Sequence, residues 1–460
     1  MFTLHDPSRF GRREFLRVGG LSLGGLSLAG VQRARANSSE RSLGDKSVIF
    51  LFLHGGPSQI ETFDPHMEAP AEIRSSTGEV KTSLPGITFG GSFPKIAKLA
   101  DRVSIVRSFV TGDANHDIKP VVGKDSFGGN IGCAFAHIAG MNHPRTGMPT
   151  NVALFPRAVD PSTQAGTMQF GNFSSTGVFN AGTAPFVPGT GGGLQQNMKL
   201  ALPIDRFGDR RTLLAELDRI KGSLDDGQNS SVDSTREQAY RILLGGIADA
   251  FDLSKEGAKT VDRYDTAPLV RPENIDKKWK NYNNYVDNAK SLGKLLLLAR
   301  RLCERGAGFV TVTTNFVWDM HSDVNNAPVA EGMRYMGPPL DHAVSAFIED
   351  LETRGLSDKI LLVCCGEMGR SPKLNKTGGR DHWGNLAPLL LSGGGLPMGR
   401  VIGQSARNAG EPNSEPVRIK HLISTVMHTL LDVGKLRTQS GVPRELLAMA
   451  EHEPIPGLHG

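Results

Sequence analysis

Three apolar runs in this 460-residue chain end in side chains that ligate cations or carry protons. "SVIFLFLHGG" (47–56) runs into His54, "GFVTVTTNFVWDMH" (308–321) into Asp319 and His321, and "ILLVCCGE" (360–367) into Glu367. Further on, "GGRDHWG" (378–384) sets Asp381 beside His382. A carboxylate at the tip of a buried strand is costly unless it is paired, solvated or bound to a metal. Carboxylate and imidazole together suit a divalent cation, here zinc, manganese or calcium. The candidate ligand set is therefore His54, Asp319, His321, Glu367, Asp381 and His382. Asp319 and His321 are two apart and share a face if their segment is extended. Asp381 and His382 would face opposite ways unless a turn bends the chain there.

Other polar residues complete a candidate site. Arg370 and Arg380 are placed to clamp an anion. The stretch "VRSFVTGDANHD" (106–117) offers Thr111 as a hydroxyl that could attack beside a metal, and His116 for metal or anion contact. Each feature also has a plainer reading. Glu367 alone could be a solvated loop residue, Asp319 could cap the next element, and Arg380 could pair with a carboxylate in a turn. His421 and His428, on a C-terminal amphipathic stretch, read as structural or surface residues.

These residues need strands to aim them. "VIFLFL", "VSIV" (103–106), "FVTVTT", "ILLVCC" and "APLLLSGG" (387–394) read as strands, several apolar on both faces. "NAKSLGKLLLLARRLCERG" (288–306), "PLDHAVSAFIEDLETRG" (339–355) and "RIKHLISTVMHTLLDVG" (418–434) read as helices, the first two closed by glycine. Helical periodicity also begins near Arg210. Alternating helix and strand predicts a largely parallel sheet with helices on its faces, and such sheets bind ligands at the carboxyl ends of their strands. Residues 120–205, rich in Gly, Ser, Thr and Phe, read as a loop-rich insert.

Composition narrows the function classes. Residues 1–36 contain "GRREFLR", a short glycine-diluted apolar run and "ARA", the pattern of a twin-arginine signal peptide. The expectation is export to the periplasm or beyond. Six of 52 basic and two of 47 acidic residues fall in that leader, leaving a nearly balanced remainder. No basic tract with interleaved aromatics supports nucleic-acid binding, and no later run of 18 apolar residues supports a membrane span. The four cysteines show no C-x-x-C spacing. No G-x-G-x-x-G follows the first strand, which argues against a dinucleotide-dependent oxidoreductase.

"LHGGPSQIETFDP", "WDMH", "LDHAVSAFIEDLETRGLSDKILLVCCGEMGRSP", "GGRDHW" and "LSGGGLPMGRVIGQS" together resemble, in order, the exported proteins known as domain of unknown function 1501. The intervening "QAYRILLGGIADAFDLSKE" fits the same family, which is distantly similar to the alkaline phosphatase and sulfatase superfamily. That resemblance implies an alkaline phosphatase-like three-layer α/β/α domain over 37–460 with a metal-dependent hydrolase site at the strand tips. Asp319, His321 and His382 then resemble metal ligands, with Glu367 where the superfamily has the Asp of an Asp-His pair. His54 stands where the superfamily usually has Asp, and Met368 where it has His. No sulfatase-type Cys-x-Pro-x-Arg occurs, so formylglycine chemistry is disfavoured. The expectation is an exported metal-dependent hydrolase of phosphate or sulfate esters, acting on a small-molecule or glycan ester. The alternative is a non-catalytic periplasmic or surface protein that binds a glycan or protein partner on the same fold.

Overall fold

The computed structural model describes residues 42–189 and 247–458; the leader and the helical stretch expected from Arg210 to residue 246 lie outside them. A seven-stranded sheet forms the centre. Its strands, in chain order, are β1 (Ser47–Phe52), β2 (Ser104–Val106), β3 (Asn151–Leu154), β4 (Phe309–Thr313), β5 (Ile360–Cys365), β8 (Leu389–Gly393) and β9 (Arg400–Ile402). The spatial order is β9-β2-β8-β5-β1-β4-β3. Only β8 runs against its neighbours, β2 and β5, while the other pairings are parallel. Between β5 and β8 the chain forms a separate antiparallel hairpin of β6 (Gly369–Leu374) and β7 (Arg380–Trp383).

The apolar runs become strands because both sheet faces are covered. Ile49 and Leu51 of β1, with Leu53 just beyond it, enter one core with helices α2 (Tyr282–Glu304) and α3 (Val329–Thr353). Val48, Phe50 and Phe52 enter the other with α1 (Ile131–Ala139) and α4 (Ile419–Leu430). A strand buried on both sides has no polar face to alternate, and each such side chain contributes roughly 1.5–3 kcal/mol on burial. This is the α/β class with a largely parallel central sheet that the sequence predicts. Among the described residues no helix is long and apolar enough to cross a membrane. All four cysteines are buried and unpaired.

Two segments depart from expectation. The glycine- and phenylalanine-rich region beginning near 120 contains α1 and the edge strand β3, both buried, whereas residues 160–180 form neither helix nor strand. Helix α3 begins at Val329, ten residues before Pro339, and runs through both Pro338 and Pro339. Burial of Met333, Tyr335, Met336 and Leu340 in the core around α2 outweighs the missing proline donors there.

The tip of β1 is tied to its neighbours before any site chemistry begins. The His54 carbonyl accepts from the Val317 and Trp318 amides, both at 3.1 Å. The Gly55 amide donates to Glu367 Oε1 at 2.9 Å. Gly55 has φ 112°, and a Cβ there would lie 2.7 Å from the Trp318 and Asp319 amide nitrogens. Replacing Gly55 with alanine is expected to destabilise the fold by about 1–3 kcal/mol through overpacking and backbone strain. Urea denaturation in the presence of a chelator should show a lower midpoint; an unchanged midpoint would mean that this approach does not lock the tips together.

Candidate metal centre

His116, Asp319, His321 and His382 present ligand atoms that all lie within 4.8 Å of one another. His116 comes from the loop beyond β2, Asp319 and His321 from the segment after β4, and His382 from β7. Asp319 Oδ1 is the common point, 2.9 Å from His321 Nε2 and 3.3 Å from both His116 Nε2 and His382 Nε2. His321 Nε2 and His382 Nε2 are themselves 2.6 Å apart. Arg370 Nη2 adds a fifth group at 2.7 Å from Asp319 Oδ1.

A second layer orients these groups. Glu367 is wholly buried, and His116 Nδ1 lies 2.9 Å from its Oε1. That contact turns the other ring nitrogen, Nε2, toward Asp319. His116 Nε2 has no hydrogen bond of acceptable geometry. Asn326 Nδ2 donates to Asp319 Oδ2 at 3.2 Å, and Asp381 Oδ1 lies 3.4 Å from His321 Nδ1.

The electrostatics follow from crowding. Burial alone would raise the Asp319 carboxyl, but the three imidazoles and the Arg370 charge hold it well below the usual carboxylate range. Burial opposes charge on His116 as well, yet Asp319 and Glu367 together push its pKa up. On His382 burial dominates and pushes the pKa down, with Arg370 and the two neighbouring imidazoles acting the same way.

The structure redistributes the roles read from the sequence. His116, read from the sequence for catalysis or for metal or anion contact, stands among the ligand-type residues. Glu367 faces His116 and Gly55 instead of the centre of the cluster. Asp381 is 65% exposed and reaches only the far nitrogen of His321. The segment holding Asp319 and His321 is not extended: β4 ends at Thr313, and Met320 and His321 donate to Trp318 and Asp319, two residues back. Both side chains reach the cluster through these tight turns. "RDHW" is a strand with a register shift between Arg380 and His382, and Asp381 faces solvent while His382 reaches Asp319.

Neither arginine is free to clamp an anion. Arg370 is buried; its Nε donates to Gly56 O at 2.7 Å, and its Nη groups engage Gly55 O, Arg380 O at 3.2 Å and Asp319. His321 Nε2 lies 3.3 Å from the remaining Nη1 position, so the five-donor fork is occupied. Arg380 is 0% exposed and paired with the equally buried Glu61 at 3.0 Å. It also donates to Ile73 O at 2.9 Å, Arg74 O at 3.0 Å and Pro372 O. Thr111 Oγ1 points to Gly384 O at 3.4 Å, and Thr111 lines a cavity of about 360 Å³ to which no cluster residue contributes. His54 is buried among phenylalanine rings, and neither ring nitrogen has a partner.

Sequence reading missed Glu61, Gln59 and Asn326. Glu61 collects Ser75 Oγ at 2.8 Å and the Ser76 amide at 3.0 Å besides Arg380. Gln59 brackets Arg370 through its backbone, accepting from its amide at 2.9 Å and donating to its carbonyl at 2.8 Å. The signal was "SQIET", polar side chains immediately after a buried strand, but nothing local pairs it with residues some 310 positions away.

Gly379 fixes the hairpin against the Asp319 segment, since a Cβ there would lie 1.9 Å from His321 O. The Glu61–Arg380 pair holds the same hairpin from its other side. Arg380→Ala strands Glu61 in the interior and should cost roughly 3–5 kcal/mol, whereas the paired change Glu61→Leu with Arg380→Met should recover most of that loss. Calorimetry on the two variants distinguishes them; equal stability would mean the pair is not the anchor.

The chain belongs to the family described as "Protein of unknown function (DUF1501)", whose profile matches residues 45–447. No protein of curated function matches the sequence. Among solved structures, a sulfatase from Pseudoalteromonas sp. is similar at a TM-score of 0.36 and 12% identity, covering 93% of this chain and 72% of that one. A phosphonate monoester hydrolase from Silicibacter pomeroyi gives 0.33 and 10%, covering 84% and 73%. The lipoteichoic acid synthase LtaP from Listeria monocytogenes gives 0.31 and 8%, covering 81% and 73%. At these identities the three assign neither a reaction nor a residue role to this chain.

Proposed function

We propose that this chain is an exported, metal-dependent hydrolase of phosphate or sulfate esters. The observation that carries the proposal is the convergence of His116, His321 and His382 on one oxygen of Asp319. A single carboxylate oxygen has too few lone pairs for three imidazoles and the Arg370 guanidinium, and His321 Nε2 and His382 Nε2 crowd to 2.6 Å beside it. A divalent cation among these four groups satisfies all of them. One carboxylate with three imidazoles suits zinc or manganese and does not suit calcium, which takes oxygen ligands.

Charge supports an anionic substrate. A divalent cation with Asp319, Glu367 and Arg370 leaves about one net positive charge in the buried part of the site; the exposed Asp381 is screened by solvent. When bound, such a cation supplies Lewis acidity at an ester oxygen. The protein's own part is to hold the ligands, orient the His116 ring through Glu367 and pin Asp319 with Arg370. Phe170 and Phe316, stacked with ring centroids 4.5 Å apart, cover His116 and restrict water on that side. The twin-arginine pattern supports export. A second reading, anion or glycan binding without turnover, draws on the Thr111 hydroxyl being directed at a backbone carbonyl and not at the cluster.

Protein recovered from the exported fraction without chelators should contain about one zinc or manganese per chain, and Asp319→Ala should lose it. Aryl phosphate and aryl sulfate should be hydrolysed by the loaded protein only. A chain that stays metal-free after incubation with both ions would overturn the proposal; a loaded chain that binds these anions without turnover would establish the second reading, and absence from the exported fraction would remove the localisation. Glu367→Gln should keep the stoichiometry while weakening metal affinity roughly 10–100-fold, read by competition with a chromogenic chelator. An unchanged affinity would mean that Glu367 does not act through His116.

A further inference from the structure

Behind the metal cluster lies a group of buried polar atoms that the proposed reaction does not use. His54 is 1% exposed, and both its ring nitrogens lack partners. Asn315, also 1% exposed, has neither its amide nitrogen nor its amide oxygen bonded. Thr313 Oγ1 is unpartnered as well. Fold topology makes these residues neighbours. In the parallel pairing of β1 with β4, Phe52 stands opposite Thr313, and His54 and Asn315 each lie two residues beyond that pair; the His54 carbonyl accepts from the Val317 and Trp318 amides and its ring lies 5.1 Å from that of Phe316, so the two tips run close together here. Asn315 holds φ 64°, a left-handed conformation that a non-glycine residue adopts at some cost. Each unpaired buried polar group costs roughly 1–3 kcal/mol, so this concentration at two adjacent strand tips calls for a ligand.

We propose that His54 and Asn315, with Thr313, form a buried subsite for a hydroxyl group, either a water molecule or a hydroxyl of the substrate. The His54 ring presents two unpartnered nitrogens. The carboxamide offers both kinds of group, and the threonine hydroxyl likewise. A neutral group that both donates and accepts complements this set. A cation finds no available carboxylate, because Glu367 already receives the Gly55 amide and faces His116 Nδ1. A phosphate or sulfate anion would meet the field of the neighbouring Glu367. The subsite adjoins the cluster through Phe316, whose ring centroid lies 5.1 Å from that of His54 and 4.7 Å from that of His116. Its assignment as a place for the hydrolytic water or a substrate hydroxyl rests on the hydrolase reading; the hydroxyl site itself rests on the buried atoms.

The test is a high-resolution crystal structure of the full metal-treated chain in polyol-free buffer, and a second with glycerol as the hydroxyl probe. An ordered water within hydrogen-bond distance of a His54 ring nitrogen and the Asn315 amide is expected in the first. Its replacement by a glycerol hydroxyl in the second assigns the subsite to ligand hydroxyls, and its persistence assigns it to water. Empty space overturns the proposal, as does a cation at about 2.0–2.6 Å from these atoms. Asn315→Gly suits the backbone and should lose the ordered oxygen; an oxygen that stays in place overturns the proposal. His54→Phe should lower the melting temperature by several degrees, whereas a rise would show that the nitrogens were simply unsatisfied. Metal content keeps the two readings separate. A wild-type chain that holds the ordered hydroxyl and no metal sinks the hydrolase reading alone, and a loaded chain with an empty subsite sinks this one alone.

Discussion

The Asp319 carboxylate is buried, and a buried anion must be compensated by whatever the fold can bring to it. Its Oδ1 lies within 3.3 Å of three imidazoles and a guanidinium, supplied by the loop after β2, the segment after β4, β6 and β7. These segments meet because the parallel strands β1, β4 and β5 end along one edge of the sheet, where loops have to cross each other. The demand of one carboxylate thus organises the edge: it holds Arg370 in place, and Arg370 in turn pins the backbone of Gly55 and Gly56 beyond β1.

Arginine shows best why residue type alone misleads here. Arg370 and Arg380 sit in a motif beside a polar cluster, where guanidinium groups commonly bind anions. In the folded chain both forks are filled by backbone carbonyls and one carboxylate each. The distinction depends on Gly55, Glu61, Ile73 and Arg74, some 300 residues earlier in the chain. No local pattern carries that information. Arg380 serves the site all the same, because the hairpin it anchors delivers His382.

Legibility in the sequence followed the range of the interactions involved. The apolar runs of β1, β4, β5 and β8 were readable because burial on both faces leaves no polar alternation. The cluster's location was readable too, since polar residues stood at the ends of those runs. What could not be read was how each tip turns. Asn315 sends the chain out of β4 in a left-handed conformation, so Asp319 and His321 converge through tight turns and not through strand periodicity. The hairpin that turns His382 toward Asp319 and Asp381 toward solvent is equally invisible, because "GRDHW" reads locally as a turn. The buried strand β3 and helix α1 hid in a glycine-rich stretch because their burial comes from contacts with β4 and the α4 side of the core.

The aromatic residues add a constraint of a different kind. Phe170 and Phe316 pack against both His54 and His116, so the polar cluster is walled on one side by groups that cannot solvate it. In such surroundings the attraction between Asp319 and its imidazoles is stronger than in water, and an unpaired nitrogen is correspondingly more costly. Both consequences appear along the same edge: the imidazoles and Arg370 hold the Asp319 carboxyl well below the usual range, while burial pushes the His54 pKa down and leaves two bare nitrogens. A wall that merely closed the core would place apolar atoms at His54 and Asn315. Polar atoms retained there, at a cost in stability, point to a site shaped around something it binds.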